Sequence, residues 1–456
     1  MIDLSPRAGQ LKPSATLAIN ELVNDRRMKG EDILHLGIGE SPFPVHSHIR
    51  KALCENSDKK SYLPVQGIYP LREKIATFYQ RMFNLSCSPE QIIVGPGSKI
   101  LLFDALTALE GSLFLPIPSW VSYQHQASLI GKRICYIECA PEESYLLNPE
   151  ALEQAIARYE PNPEKQKILL LNYPCNPTGA SFSASQLKEI ALVARDHNVV
   201  ILSDEIYGLV SFEGQEHHSI AEFCPERTIV TGGFSKDRSL GGFRLGVMIL
   251  PEEEEALKRA ILSVGSETWS CVAAPIQYAA ITAYQTDDQA IMEYIRDCTV
   301  IHEIIANYVH RRLEETGIHC PKPQGAFYLF PNWNNDRETL EKMGIRTSIE
   351  LSERLLEIWN VATLPGFEFG MDCASLCIRI ATVDYDGETA VKRFQEDRDM
   401  AKSFPEVFVK MVAPKIVRAC DQLEKFTKMI HDISKGLFMT AEVKKPISKS
   451  TQSHQN

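Results

Sequence analysis

In the stretch TGGFSKDRSLGGFRLG, Thr231 to Gly246, a lysine stands among small residues, with glycines on both sides and Arg244 eight positions further on. A primary amine carried on a tightly turned backbone can condense with a carbonyl compound, so Lys236 reads as a Schiff-base lysine. Lysines beside serine and glycine are also common on solvated loops, and this segment alone does not separate the two. A second pattern, QIIVGPGSKILLFDALTAL from Gln91, gives an apolar strand, a glycine-rich turn at Gly95 to Ser98, and a helix. Unpaired N–H groups and the helix dipole at such a junction favour a phosphate. Neither G-x-x-x-x-G-K-[ST] nor G-x-G-x-x-G occurs, so the cradle lacks a nucleotide signature.

Groups so far apart in sequence need a scaffold that gathers them. Short apolar runs recur at SLFLPIP from Ser112, Lys167 to Asn172, Val199 to Ser203 and Arg227 to Gly232, with an amphipathic helix from Ser185 to His197. Strands of this kind alternating with helices predict a mostly parallel sheet covered on both faces. Ligands of such sheets gather at the carboxyl ends of the strands. The residues able to do chemistry fall there: Gly97 and Ser98 after one strand, Trp120 after the next, then Asn176, then Asp204 and Tyr207, then Lys236. Each has a plainer alternative, with Asp204 as a helix N-cap and Trp120 as core.

Upstream, ILHLGIGESPFP (Ile33 to Pro44) opens into a tight loop where Gly39 either brings bare backbone to a ligand or simply turns between domains. Tyr62 and Gly67 lie in a loop ahead of a helix that carries Pro70 in its first turn. After Trp269 the pattern is helical to about Leu313. GAFYLF (Gly325 to Phe330) and SLCIRIAT (Ser375 to Thr382) then read as strands, separated by a helix near Ser348 to Trp359. This predicts a smaller α+β domain. The expected division is an N-terminal segment 1–45 joining the small domain, a large domain 46–300, a small domain with a helical extension 301–440, and a disordered tail 441–456.

With 456 residues and 44% hydrophobic composition the chain can bury a large core. Forty-eight Lys and Arg against 59 acidic residues give a net charge of −11, which argues against a nucleic-acid or anionic-membrane partner. The twelve cysteines show no C-x-x-C pair and no metal-ligand spacing, and are expected to be reduced. No window reaches about eighteen uninterrupted apolar residues, and a cytoplasmic location is expected.

NYPCNPTG (Asn172 to Gly179) and SDEIY (Ser203 to Tyr207), together with the lysine segment, GPGSK, PSW and CIRIA, resemble in order and approximate spacing the fold-type I pyridoxal-phosphate enzymes of the class I/II aminotransferase family. The resemblance spans Ile33 to Thr382 and implies a seven-stranded, mostly parallel sheet with a second, smaller α+β domain. It implies pyridoxal 5′-phosphate as cofactor, with Lys236 as its covalent partner and proton carrier. Asp204 would face the pyridine nitrogen, Tyr207 and Asn176 the ring's phenolic oxygen, and Trp120 the ring face. Gly97, Ser98, Lys99, Ser235 and Arg244 would bind the cofactor near its phosphate, joined by Tyr62 from the other subunit of a homodimer. Arg379 would grip the substrate carboxylate, aided by Gly39 and Asn176.

The combination of Lys99 and Trp120 is similar to the bacterial aspartate aminotransferase subgroup, which implies an acidic amino-acid substrate and its 2-oxo acid. Alternatives sharing these residues are a pyridoxal-phosphate lyase, of the C–S β-lyase or aminocyclopropane-carboxylate-synthase kind, and a broad-specificity or aromatic aminotransferase. Two features depart from the family pattern. Gly233 stands where a hydroxyl residue is usual, three positions before the lysine, and the chain beyond Thr382 is long. Its helices are expected on the surface or at a partner contact.

Overall fold

The computed structural model describes residues 3, 5–9, 11 and 13–437, so the expected tail 441–456 lies outside the described residues. Seven apolar segments pair into one sheet: β1 (Ile92–Gly95), β2 (Ser112–Ile117), β3 (Ile134–Glu138), β4 (Lys167–Asn172), β5 (Val199–Asp204), β6 (Thr228–Gly233) and β7 (Gly246–Ile249). Their spatial order is β1-β7-β6-β5-β4-β2-β3. Only β7 runs against its neighbours, pairing antiparallel with both β1 and β6. That reversal matters for the site, because it returns the start of β7 to the edge where the other six strands end.

Alternation along β4 explains why its run is continuously apolar. Ile168 and Leu170 face a core shared with α2 (Ser98–Ala108), through Leu101 and Ala105. Leu169 and Leu171 face the opposite core, with Leu187 and Ile190 of α3 (Ala184–Asp196). Both faces are therefore dry, as a parallel sheet requires. Beside β1, α1 (Tyr69–Phe83) and α4 (Ala274–Ala283) enclose a third core around Phe78, Val94 and Tyr284.

The remaining chain builds around α5 (Gln289–Glu314), a 26-residue helix. A three-stranded antiparallel sheet, ordered β9-β10-β8, consists of β8 (Tyr328–Leu329), β9 (Leu364–Pro365) and β10 (Ile378–Ala381). The N-terminal segment joins here, since Leu34–His35 pairs parallel with Val361–Ala362. GAFYLF yields only the two-residue β8, because Ala326 turns at φ 57° and takes the first half of the run out of the sheet.

The C-terminal helices lie at the surface, as expected, but each also buries one face. Beyond α6 (Ser348–Trp359), α7 (Gly387–Glu396), α8 (Pro405–Val412) and α9 (Pro414–Ser434) pack on α5 and are part of the core. Phe408, Leu423, Phe426 and Ile430 are fully buried in one cluster with Leu34, Ile301 and Val309. On α9 the positions Ile416, Ala419, Cys420, Leu423, Phe426 and Ile430 form one helical stripe, so burial rather than display is what their spacing demands. Arg312 fastens the outer edge, 2.7 Å from Asp421 and paired also with Glu424.

No helix among the described residues is long and apolar enough to cross a membrane.

Candidate active site

The carboxyl edge of the large sheet carries a cleft whose floor is charged and buried. β5 runs one residue further than its apolar pattern, so Asp204 is the last strand residue, 2% exposed, in register with Asn172 and Thr231 on the flanking strands. Its carboxylate accepts hydrogen bonds from the Tyr123 hydroxyl at 2.7 Å and from Thr231 Oγ1 at 3.4 Å. Burial, only partly offset by these donors, pushes the Asp204 carboxyl up to about 6. A cationic neighbour placed here would restore the charged form.

Lys236 lies in the turn that follows β6, and its Nζ donates to the Gly39 carbonyl at 2.6 Å. The ammonium stands 5.7 Å from the Tyr207 ring centre and 5.8 Å from that of Phe327. Tyr207 is buried and shares a 2.8 Å hydrogen bond with the hydroxyl of Tyr328 on β8. Gly39 must lack a side chain, because a Cβ there would sit 2.1 Å from the Tyr328 oxygen. One lysine thus touches the N-terminal segment and one tyrosine touches β8, and the two folding units meet at the cleft.

Arg379 comes from β10 and is 1% exposed. Its guanidinium lies between the rings of Tyr328 and Phe369, at 4.7 and 5.2 Å. Nη1 donates to Asn176 Oδ1 at 3.2 Å and Nη2 to the Gly37 carbonyl, while Nε has no hydrogen-bond partner among the described residues. Asn176 is held in turn by its backbone N–H on Asn172 Oδ1 at 2.8 Å, and Asn172 also ties to the Asp204 carbonyl. A buried, partly unsatisfied arginine is poised for a carboxylate that brings two acceptors.

At the opposite rim, α2 begins at Ser98, directly after Gly97. A Cβ on Gly97 would meet Arg244 Nη2 at 2.4 Å, and one on Gly246 would meet the Ser98 nitrogen at 2.3 Å. The antiparallel β7 is what brings Arg244 here. Bare backbone, a helix N-terminus and one guanidinium make a cradle whose donor chemistry fits a phosphate ester. Lys99 sits in the same first turn, its ammonium 4.9 Å from the Trp120 ring centre. Partial desolvation, together with the charges of Arg244 and Lys236, holds the Lys99 pKa below the usual ammonium range. At Gly233 a side chain would begin 3.0 Å from the Leu245 carbonyl, a reason for glycine at that point.

Of the residues singled out from sequence, Gly39, Gly97, Ser98, Lys99, Trp120, Asn176, Asp204, Tyr207, Lys236, Arg244 and Arg379 line this edge through the contacts just described. Ser235 is half-buried in the lysine turn. Tyr62 is 91% exposed on its loop and takes part in none of these cleft contacts. Sequence reasoning missed Tyr123, Asn172 and Tyr328. Tyr123 follows Trp120 by three residues, a helical spacing that puts it beneath the same site, but nothing local marks Tyr328.

A lysine, a buried carboxylate and a phosphate cradle gathered at the carboxyl edge of a mostly parallel sheet are the groups an enzyme that works through pyridoxal phosphate needs. Residues 31–390 match the family described as "Aminotransferase class I and II", and the chain belongs to it. It is 36% identical over 399 residues to the aspartate aminotransferase of Geobacillus stearothermophilus, covering 86% of this chain and 97% of that one. To the aspartate/prephenate aminotransferase of Thermus thermophilus it is 31% identical, covering 86% and 98%. Among solved structures it resembles Thermus thermophilus aspartate aminotransferase with maleate, at 27% identity and TM-score 0.79, covering 93% of this chain and all of that one. The protein is a pyridoxal-phosphate-dependent aminotransferase.

Proposed function

We propose that the enzyme moves an amino group between L-aspartate or L-glutamate and the matching 2-oxo acids, one substrate leaving before the other enters. The observation that carries this reading is the pairing of two cations in one cleft: Arg379, with a free buried Nε, and Lys99, held over Trp120. An amino acid with two carboxylates satisfies both.

Pyridoxal phosphate, when bound, supplies an electron sink for charge developed at the substrate Cα. Gly97, Ser98 and Arg244 would hold its phosphate, and Asp204 would keep its ring nitrogen protonated. Asn176 and Tyr207 would orient the ring oxygen, with Ser235 near the phosphate and Trp120 against the ring. Lys236 would hold the aldehyde carbon and, released from the Gly39 carbonyl, carry a proton to and from Cα. Arg379 would orient the α-carboxylate, with Gly39 offering backbone close by.

The exposure of Tyr62 supports a homodimer in which this residue reaches the phosphate site of a second copy. The pairing of Leu34–His35 with Val361–Ala362 supports a small domain made of residues 1–45 and 301–440 beside a large domain 46–300. The reading includes a cytoplasmic location, with which cysteines that form no disulfide among the described residues are compatible. The test is an absorbance spectrum of the reconstituted protein during sequential addition of aspartate and 2-oxoglutarate. Loss of the visible band with aspartate and its return with the oxo acid is the expected result. A band that aspartate leaves untouched while an apolar amino acid discharges it would refute the acidic-substrate reading.

A further inference from the structure

Two residues beyond Lys236, Arg238 turns away from the cleft and into the scaffold, where it is 1% exposed. Its guanidinium is sandwiched between Phe78 of α1 and Tyr284 at the end of α4, at 4.5 and 4.8 Å from the ring centres. Nε donates to the Ala283 carbonyl at 2.9 Å, and Nη1 donates to both carboxylate oxygens of the adjacent Asp237 at 2.9 Å. The same turn is closed by Leu240 N–H on the Phe234 carbonyl, and is held from the cleft side by a 2.6 Å hydrogen bond between Ser239 and Ser41.

A buried ion pair contributes little net stability over an apolar pair of similar volume, so stability alone does not account for a charge at this point. What the pair does provide is direction. A planar guanidinium stacked on two faces and bonded at two edges admits one orientation of the backbone that carries it. Lys236 leaves that backbone two residues earlier toward the opposite side.

We infer that Arg238 is a positioning residue for Lys236: it nails the lysine turn to α1 and α4, and so sets where the Lys236 amine stands relative to the cofactor carbonyl and the substrate Cα. This rests on the reading of Lys236 given above. Misplacement of a reacting group by about 1 Å costs on the order of a hundredfold in rate. Loss of the anchor is therefore expected to lower kcat by about tenfold to a hundredfold, with KM for the amino acid within about twofold.

The test compares wild type, R238M, R238K and the charge-neutral double variant D237N/R238M, each reconstituted with pyridoxal phosphate. The readouts are the pH midpoint of the lysine-dependent absorbance band, the kcat and KM split, and the circular dichroism of the cofactor-free protein. We expect native dichroism, a moved band midpoint and a lowered kcat in the double variant, and no rescue by R238K, whose single ammonium cannot stack and bridge at once. Should R238M fail to fold, the double variant, which leaves no charge unpaired, decides. A folded double variant with wild-type midpoint and kcat overturns the inference while leaving Lys236 in place. Absence of a lysine-dependent band in wild type overturns both.

Discussion

The floor of the cleft and its rim handle charge in opposite ways. Asp204 and Arg379 are 2% and 1% exposed, and most of their polar atoms are held by the chain itself, through Tyr123, Thr231, Asn176 and Gly37. Arg244 and Lys99 stand exposed in the rim, where Arg244 donates to the Gly241 and Pro96 carbonyls and Lys99 lies over the Trp120 ring. Rigid buried groups fix orientation and can stabilise charge strongly, because their dipoles are already aligned. Exposed cations attract and select, but each is worth less because water competes. The difference predicts that loss of the buried carboxylate damages turnover, whereas loss of a carboxylate-binding cation damages recognition, more severely at the buried Arg379 than at the exposed Lys99.

The sharpest break of that contrast is D204N. Loss of a preorganised charge under the reacting system is expected to lower kcat by about 10²- to 10³-fold, measured at saturating substrate. The same variant reports on stability. In the cofactor-free protein burial raises the Asp204 carboxyl from 3.8 to about 6, so the folded state holds that proton more tightly than the unfolded chain. Its stabilising contribution is complete below pH 3.8 and is lost as pH rises through about 6. Between these limits wild type should lose up to about 3 kcal/mol relative to D204N, read from denaturant melts at pH 4 and pH 8.

Smaller effects follow toward the rim. R379K keeps the charge but removes the fork, and KM for the amino acid should rise about 10- to 100-fold, with a smaller change in kcat. K99M should reduce kcat/KM for aspartate by about tenfold and leave an apolar amino acid within about twofold, a single partly solvated charge contact being at stake. An equal loss for both substrates would move Lys99 from recognition of the distal carboxylate to binding of the cofactor phosphate.

The sequence is most informative where local chemistry and backbone agree. The runs at Lys167–Asn172 and Val199–Asp204 are apolar because both sheet faces are dry, and their ends carry Asn176 and Asp204 because the edge is where side chains can meet a ligand. Gly97 is legible as a site residue because a glycine-rich turn between an apolar strand and a helix bares backbone donors, and the turn takes φ +99° at that glycine. Contacts made across the fold are not written locally. Tyr328 is one aromatic among several in GAFYLF, and only the folded chain shows it holding Tyr207, crowding Gly39 and stacking on Arg379 at once. The surface reading of α8 and α9 is incomplete for a related reason. Their charged residues are conspicuous in sequence, whereas the stripe from Ile416 to Ile430 gains meaning only against the apolar face of α5.

The central claim is that Lys236 carries the cofactor, and borohydride reduction of the reconstituted protein followed by peptide mass mapping tests it most directly. We expect a single modified peptide, that containing Lys236, with the modification absent from K236A and activity there lowered at least about 10⁴-fold. Modification at Lys99 or another lysine in wild type, or an unchanged adduct in K236A, would contradict the assignment.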